Sequence, residues 1–379
     1  MRLQRTLVTS FFFCSAVALF LSACGPKVPV PTNWASGTVP YSELHPAPSA
    51  TPTPLNLPVQ DDDNAGTGGL YLGAVCLPGG PVRCGTLAKV LRHHIAIGTE
   101  FTGWNTDLVA YMHSVGMDKW PQQQTIPEIT WLPNNVLYSD INAGKYDAYL
   151  TQQARELRAA GYPVFLRPFH EFNGFWWTWA LSRQGADTQA DQDFVAAWRR
   201  IVNIFRAQGA SNVKFVWCFS SSALYAIPKD PWDNPAAAYP GDAYVDWVSF
   251  DGYNRGTSSK PQQWLPFDRL FKQAYQLATS IAPLKPISIS EVASNEYGDG
   301  GAKKAAWITD MFSELLSPSN PYPHLRLISW YEADNVFHYF TESSGPAYTA
   351  FATDIRAKDR FGNLEVRSNG DALLQVSLP

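Results

Sequence analysis

Glu171 and Glu291 are the two residues of this 379-residue chain around which chemistry can be arranged. Glu171 lies in "RPFHEFNGFWWTW" (167–179), between His170 and a run that holds Trp176, Trp177 and Trp179. Aromatic surroundings disfavour an ionised carboxylate, so a carboxyl placed there stays protonated nearer neutral pH, as a general acid must. Glu291, in "PISISEV" (286–292), needs the opposite setting: polar, with donors such as Tyr253. Two facing carboxylates of this kind are what cleavage of a glycosidic bond requires. One protonates the leaving oxygen, and the other attacks the anomeric carbon or activates water. Flat indole rings complement the apolar C–H faces of pyranose rings, which gives the tryptophans a use beside the acid.

Something must bring positions 171 and 291 together. Apolar strand-like runs occur at 70–75, 94–101, 126–131, 164–169, 213–219, 246–253, 286–292 and 325–331. Amphipathic helical stretches lie between several of them, at 145–161, 193–209, 267–282 and 302–316, and the first two close on Gly161 and Gly209. Strands that are apolar throughout and alternate with helices are parallel strands covered by helices. The pattern predicts a (β/α)8 barrel, with a doubly wound open sheet as the alternative. In a barrel, the strand ends at the C-terminal face carry the chemistry. Glu171 follows the fourth strand, Asp251 ends the sixth, Glu291 lies near the end of the seventh, and Glu332 and Asp334 follow the eighth. The fourth and seventh strands face one another across the mouth, so Glu171 and Glu291 are expected to meet there. Asp251 reads as a loop anchor.

The N-terminus has two Arg, an apolar run from Phe11 to Leu21, and Leu21-Ser22-Ala23-Cys24. That is a signal peptide, too short to span a membrane, and its end resembles the bacterial lipobox. Residues 1–23 are expected to be removed and Cys24 to be lipidated, anchoring the protein on the outer membrane or cell surface. Residues 24–68, rich in Pro, Ser and Thr, read as an extended tether. Residues 69–360 read as one barrel domain, and 361–379, with an Asn-Gly turn, as a hairpin or tail. The chain carries 29 basic and 33 acidic residues; the signal peptide takes Arg2 and Arg5 with it, moving the net charge from −4 to −6. With no basic stripe, nucleic acid is not an expected partner. Cys76 and Cys84 flank a turn-rich loop and are expected to pair in an oxidising compartment, leaving Cys218 as a buried thiol.

"RPFHEFNG" (167–174), "YPGDAYVDWVSFDGYN" (239–254) and "PISISEV" (286–292) resemble, in that order and spacing, glycoside hydrolase family 26. Weaker stretches extend the resemblance from about Leu70 to Asp334. Its best-known members are endo-β-1,4-mannanases. Others cut β-1,3-xylan or mixed-linkage β-glucan, and all work with retention. The resemblance implies Glu171 as acid/base, Glu291 as nucleophile and Tyr253 as the nucleophile's hydrogen-bond partner. It implies Trp330 as the aromatic floor under the sugar and Trp176 as a second wall. It also implies His170 and Asn173 as residues that position Glu171 and the sugar hydroxyls. The function implied is a monomeric, retaining endo-β-glycanase on β-mannan that needs no cofactor or metal. The alternatives are the same mechanism on another β-glycan, or a polysaccharide-binding lipoprotein without turnover. His93-His94 reads as structural, and Trp104 and Trp131 as either outer sugar subsites or core. Leu132-Pro133 and "HHIAIGTEFTGW" (93–104) depart from the family pattern, which leaves substrate preference open.

Overall fold

The computed structural model describes residues 70–356, apart from 78–79, 227–233, 257–263, 297 and 334–336. The expected signal peptide, Cys24, the tether, Asp334 and the C-terminal tail lie outside the described residues. Eight parallel strands close into a barrel in chain order: β1 Tyr71–Cys76, β2 Ile97–Gly103, β3 Ile126–Leu132, β4 Val164–Pro168, β5 Val213–Ser220, β6 Trp247–Asn254, β7 Ile287–Ser294 and β8 Leu325–Glu332. Pairing of β1 with β8, from Tyr71↔Leu327 to Cys76↔Glu332, closes the ring and excludes the open sheet. All eight runs read as strands from sequence are strands. Their near-continuous apolar character follows from burial on both faces, by the barrel lumen and by the helices.

The helices among the described residues are α1 Gly80–Leu91, α2 Leu108–Val115, α3 Tyr138–Asn142, α4 Asp147–Ala160, α5 Thr188–Ala207, α6 Ser222–Ala226, α7 Phe267–Ile281, α8 Ala302–Leu315 and α9 Gly345–Arg356. The local logic is plainest in α5. Asp187 caps its start by accepting from the Ala190 amide, and Gly209, at φ 71°, ends the turn that follows. Between them Phe194, Ala197, Trp198, Ile201, Val202 and Phe205 recur at helical spacing and are all buried. Each of the larger side chains contributes roughly 1.5–3 kcal/mol by leaving water.

Two apolar clusters result. The larger lies between strands and helices. The smaller, built from Ala96, Ile97, Ile126, Phe165, Val216, Trp247 and Leu327, plugs the lumen from strand starts, below the level where the site begins. A disulfide joins Cys76 at the end of β1 to Cys84 in α1 with a Cα–Cα distance of 5.4 Å, and Cys218 is buried and free. Both agree with the sequence reading. The register slips between Phe250 and Asp251 against β7, and again between Ile289 and Val292 against β8. Such irregularities re-aim side chains, and these two fall on the strand segments that carry Asp251 and Glu291.

Candidate active site

The backbone leaving β4 is strained where it presents the acid. Phe169 and Glu171 adopt φ of 55° and 54°, a left-handed region costly for side chains with a Cβ. The Glu171 amide donates to the Cys218 carbonyl at 3.0 Å, and the Gly174 amide to the Glu171 carbonyl at 3.0 Å. Asn173 clamps the same turn to β5: its Nδ2 donates to the Ser220 carbonyl at 3.0 Å and its Oδ1 accepts from the Ser220 amide at 2.7 Å. Asn173 therefore positions the loop and has its amide engaged by backbone. Gly174 is needed for space, since a Cβ there would sit 2.7 Å from Cζ2 of Trp176.

Glu171 is 8% exposed. Its Oε2 accepts from Trp176 Nε1 at 2.5 Å and from Trp177 Nε1 at 3.0 Å. Burial raises its pKa, and the charge of Glu291 raises it further; the two indole donors and Arg255 draw it back. The direction is that of a general acid. His170 is buried among the rings of Phe101, Trp177 and Trp179, with Nδ1 lacking a hydrogen-bond partner. Burial, and secondarily Arg167, holds its pKa well below the usual histidine value, so it is a neutral wall of the pocket.

Across the mouth, Glu291 accepts at Oε1 from Arg167 Nη2 at 2.8 Å and at Oε2 from the Tyr253 hydroxyl. Arg167 is a buried hub missed in the sequence. Its guanidinium also pairs with Asp251 at 3.0 Å and with Glu128 at 3.1 Å, and donates to Thr130 Oγ1 at 2.6 Å. One cation thus faces three buried carboxylates. Burial raises the pKa of both Glu128 and Asp251, Glu291 adds to the rise, and Arg167 opposes it. Asp251 is a structural partner of Arg167, in keeping with an anchoring role. The signal available in the sequence was a charged residue inside otherwise apolar strands, Arg167 in "VFLRPF" and Glu128 in "IPEITW".

One aromatic assignment is corrected. Trp330 does not line the mouth. It is 1% exposed, donates to the Tyr339 carbonyl at 2.8 Å, and packs outward on Phe351 and Trp307 of α9 and α8. Strand alternation explains the displacement: with Leu327 in the lumen cluster, Tyr331 shares its inward face and Trp330 takes the other. Tyr331 meets Tyr253 edge-to-face at 5.3 Å, and Tyr339 stacks on Tyr253 at 5.3 Å. These two tyrosines form the wall that sequence reasoning gave to Trp330. Trp104 and Trp131 are core, stacked on one another at 4.2 Å and buried. Glu332 is engaged by Thr341 and Arg83. His94 is tied by Nε2 to the Gln124 carbonyl at 2.9 Å, and among the described residues no group of three or more His, Cys, Asp or Glu could hold a metal ion.

Residues 120–291 match the family model "Glycosyl hydrolase family 26", a span that contains both Glu171 and Glu291. This segment is similar to glycosyl hydrolase family 26. Endoglucanase H of Acetivibrio thermocellus is 37% identical over 262 residues, covering 68% of this chain and 27% of that protein. A mannan endo-1,4-beta-mannosidase of Bifidobacterium adolescentis is 25% identical over 240 residues, covering 62% of this chain and 22% of that protein. The chain thus spans about a quarter of these family relatives' length. Among solved structures, the catalytic domain of the Bacillus sp. JAMB-750 GH26 endo-beta-1,4-mannanase superposes with a TM-score of 0.59 at 17% identity, covering 81% of this chain and 90% of that one. At that identity the likeness concerns the fold.

Proposed function

We propose that the barrel is a retaining endo-β-glycanase in which Glu171 is the acid/base and Glu291 the nucleophile. The observation that carries this reading is the contrast between the two carboxyl settings. Glu171 is desolvated among indoles and pushed toward its protonated form, whereas Glu291 receives a guanidinium and a phenol hydroxyl. Environments that divide two carboxyls in this way assign acid and nucleophile. Tyr253, Tyr331, Trp176 and Trp177 border the space between them and suit the faces and hydroxyls of a pyranose.

The substrate proposed is the backbone of a β-linked hexan. Mannan is the reading implied by the family resemblance. A β-glucan is the second, favoured by the match to Endoglucanase H, which extends over more of this chain at higher identity than the match to the Bifidobacterium mannosidase. The deciding experiment is reducing-end release by residues 66–379 on galactomannan, glucomannan, mixed-linkage β-glucan and xylan. Release from mannans alone supports the first reading and release from mixed-linkage glucan the second. Binding to any of them without release would replace the enzyme by a polysaccharide-binding protein.

The roles separate kinetically. Glu171→Ala is expected to lose about 10²–10⁴-fold on polysaccharide, yet far less on aryl glycosides whose leaving groups need no proton. Equal losses on both would remove Glu171 from the acid role. The lipobox-like end of residues 1–24 supports a cell-envelope location through Cys24, tethered by 25–68. Cys24→Ser is expected to move the protein from the membrane to the soluble fraction, measured by fractionation of expressing cells. Persistence with membranes would reject the anchor.

A further inference from the structure

Two indole N–H groups converge on one oxygen of Glu171. Trp176 Nε1 lies 2.5 Å and Trp177 Nε1 3.0 Å from Oε2. The Trp177 ring is held in place. Trp177 stacks on Trp179 at 4.7 Å and 8°, and Trp179 is fully buried and pinned by its own Nε1 to the His170 carbonyl at 2.8 Å. Trp176 lies over Gly174, where no Cβ intervenes. A carboxyl oxygen that bears a proton is a poor acceptor, and its hydrogen would be turned toward two donors. Protonation at Oε2 therefore breaks two hydrogen bonds, while protonation at Oε1 keeps both.

The geometry points to Trp177, with Trp176, as a clamp that reserves Oε2 as a permanent acceptor, so that Oε1 alone carries the proton Glu171 gives and takes. Trp177 is then a positioning residue, acting through Glu171. The inference rests on the acid/base reading of Glu171. In the first step a Glu291 oxygen bonds to the anomeric carbon as the carbon–oxygen bond to the leaving sugar breaks. That bond's electron pair stays on the departing oxygen, which takes the proton from Glu171 Oε1. In the second step water attacks the same carbon, its proton passes to Glu171 Oε1, and the bonding pair returns to Glu291. Oε2 keeps its two donors throughout, and the side chain need not rotate between the acid and base steps.

The clamp also bears on when the proton is held. Donors to Oε2 favour the charged form and so limit the rise imposed by burial and by Glu291. The other charged or titratable groups facing Glu171 are Asp251, Tyr253, Tyr331 and Arg255, none of which changes on substituting residue 177. Two variants test the proposal: Trp177→Phe, and 3-benzothienylalanine in place of Trp177, which swaps the N–H for sulfur and keeps the ring. The readouts are the pH profile of kcat/KM and the infrared carboxyl band of Glu171, assigned by difference against Glu171→Gln. Loss of one donor should move both the alkaline limb and the titration upward by about one pH unit. It should lower kcat at the optimum by a larger factor than it changes KM. An unmoved titration in the folded benzothienyl protein would reduce Trp177 to packing and overturn the clamp, whether or not Trp177→Phe folds. A shifted titration in the variant, combined with a wild-type protein that cleaves no glycan, would keep the clamp and reject the acid/base role, so the two failures are distinguishable.

Discussion

Glu291→Ala is expected to abolish reducing-end release, by on the order of 10⁴-fold or more, because it removes the carboxylate proposed as nucleophile. Folding should survive the change. Arg167 keeps Asp251 at 3.0 Å and Glu128 at 3.1 Å, so its cation is still paired after Glu291 is gone. The truncation also leaves a gap on the nucleophile's side of the sugar, which a small anion can fill. Added azide should restore turnover of an aryl glycoside and yield a glycosyl azide of inverted configuration, since it attacks from where Glu291 stood. Glu171→Ala with azide should give the retained product instead, because there the anion replaces water in the second step. The reverse assignment, retained product from Glu291→Ala and inverted product from Glu171→Ala, would mean that the roles of the two carboxyls are wrongly divided.

The barrel was legible because parallel strands buried on both faces leave an unbroken apolar trace that alternates with helical spacing. The pair Glu171 and Glu291 was legible because strand ends at one rim collect chemistry, and the fourth and seventh strands oppose one another. What escaped depends on direction. Trp330 and Tyr331 are adjacent, and the pleat sends them to opposite faces, so a family resemblance alone assigned the wrong one to the mouth. Trp104 and Trp131 could not be divided between core and subsite for the same reason. Trp176 and Trp177 both reach Glu171 only because the chain after β4 leaves strand geometry, with Phe169 and Glu171 in the left-handed region. Period-two alternation does not apply to such a turn. Arg167 escaped because its five side-chain partners, Thr130, Glu128, Cys218, Asp251 and Glu291, come from four other strands.

That hub carries the second large effect. Arg167→Met is expected to destabilise the barrel by about 3–5 kcal/mol at neutral pH, because it strands carboxylates that burial has already penalised. The loss must depend on pH. Glu128 and Asp251 have folded pKa values raised above their unfolded ones, by burial first, so the folded state binds the extra protons. Stability from such groups is present below the unfolded carboxylate range and is lost as pH rises toward the folded values. Arg167 is the largest influence that pulls both values down, ahead of Thr99 for Glu128 and Cys218 for Asp251. Removing it extends that window upward, so the deficit should be small near pH 4.5 and grow through pH 8. Urea denaturation of wild type and variant at both ends of this range measures it. Asp251→Asn added to Arg167→Met should recover part of the loss at pH 8 and little at pH 4.5, since an amide carries no charge to strand. A deficit equal at both pH values would locate the role of Arg167 in packing. A pH-dependent one would mean that the cation which holds Glu291 is also what lets three carboxylates share the barrel's interior.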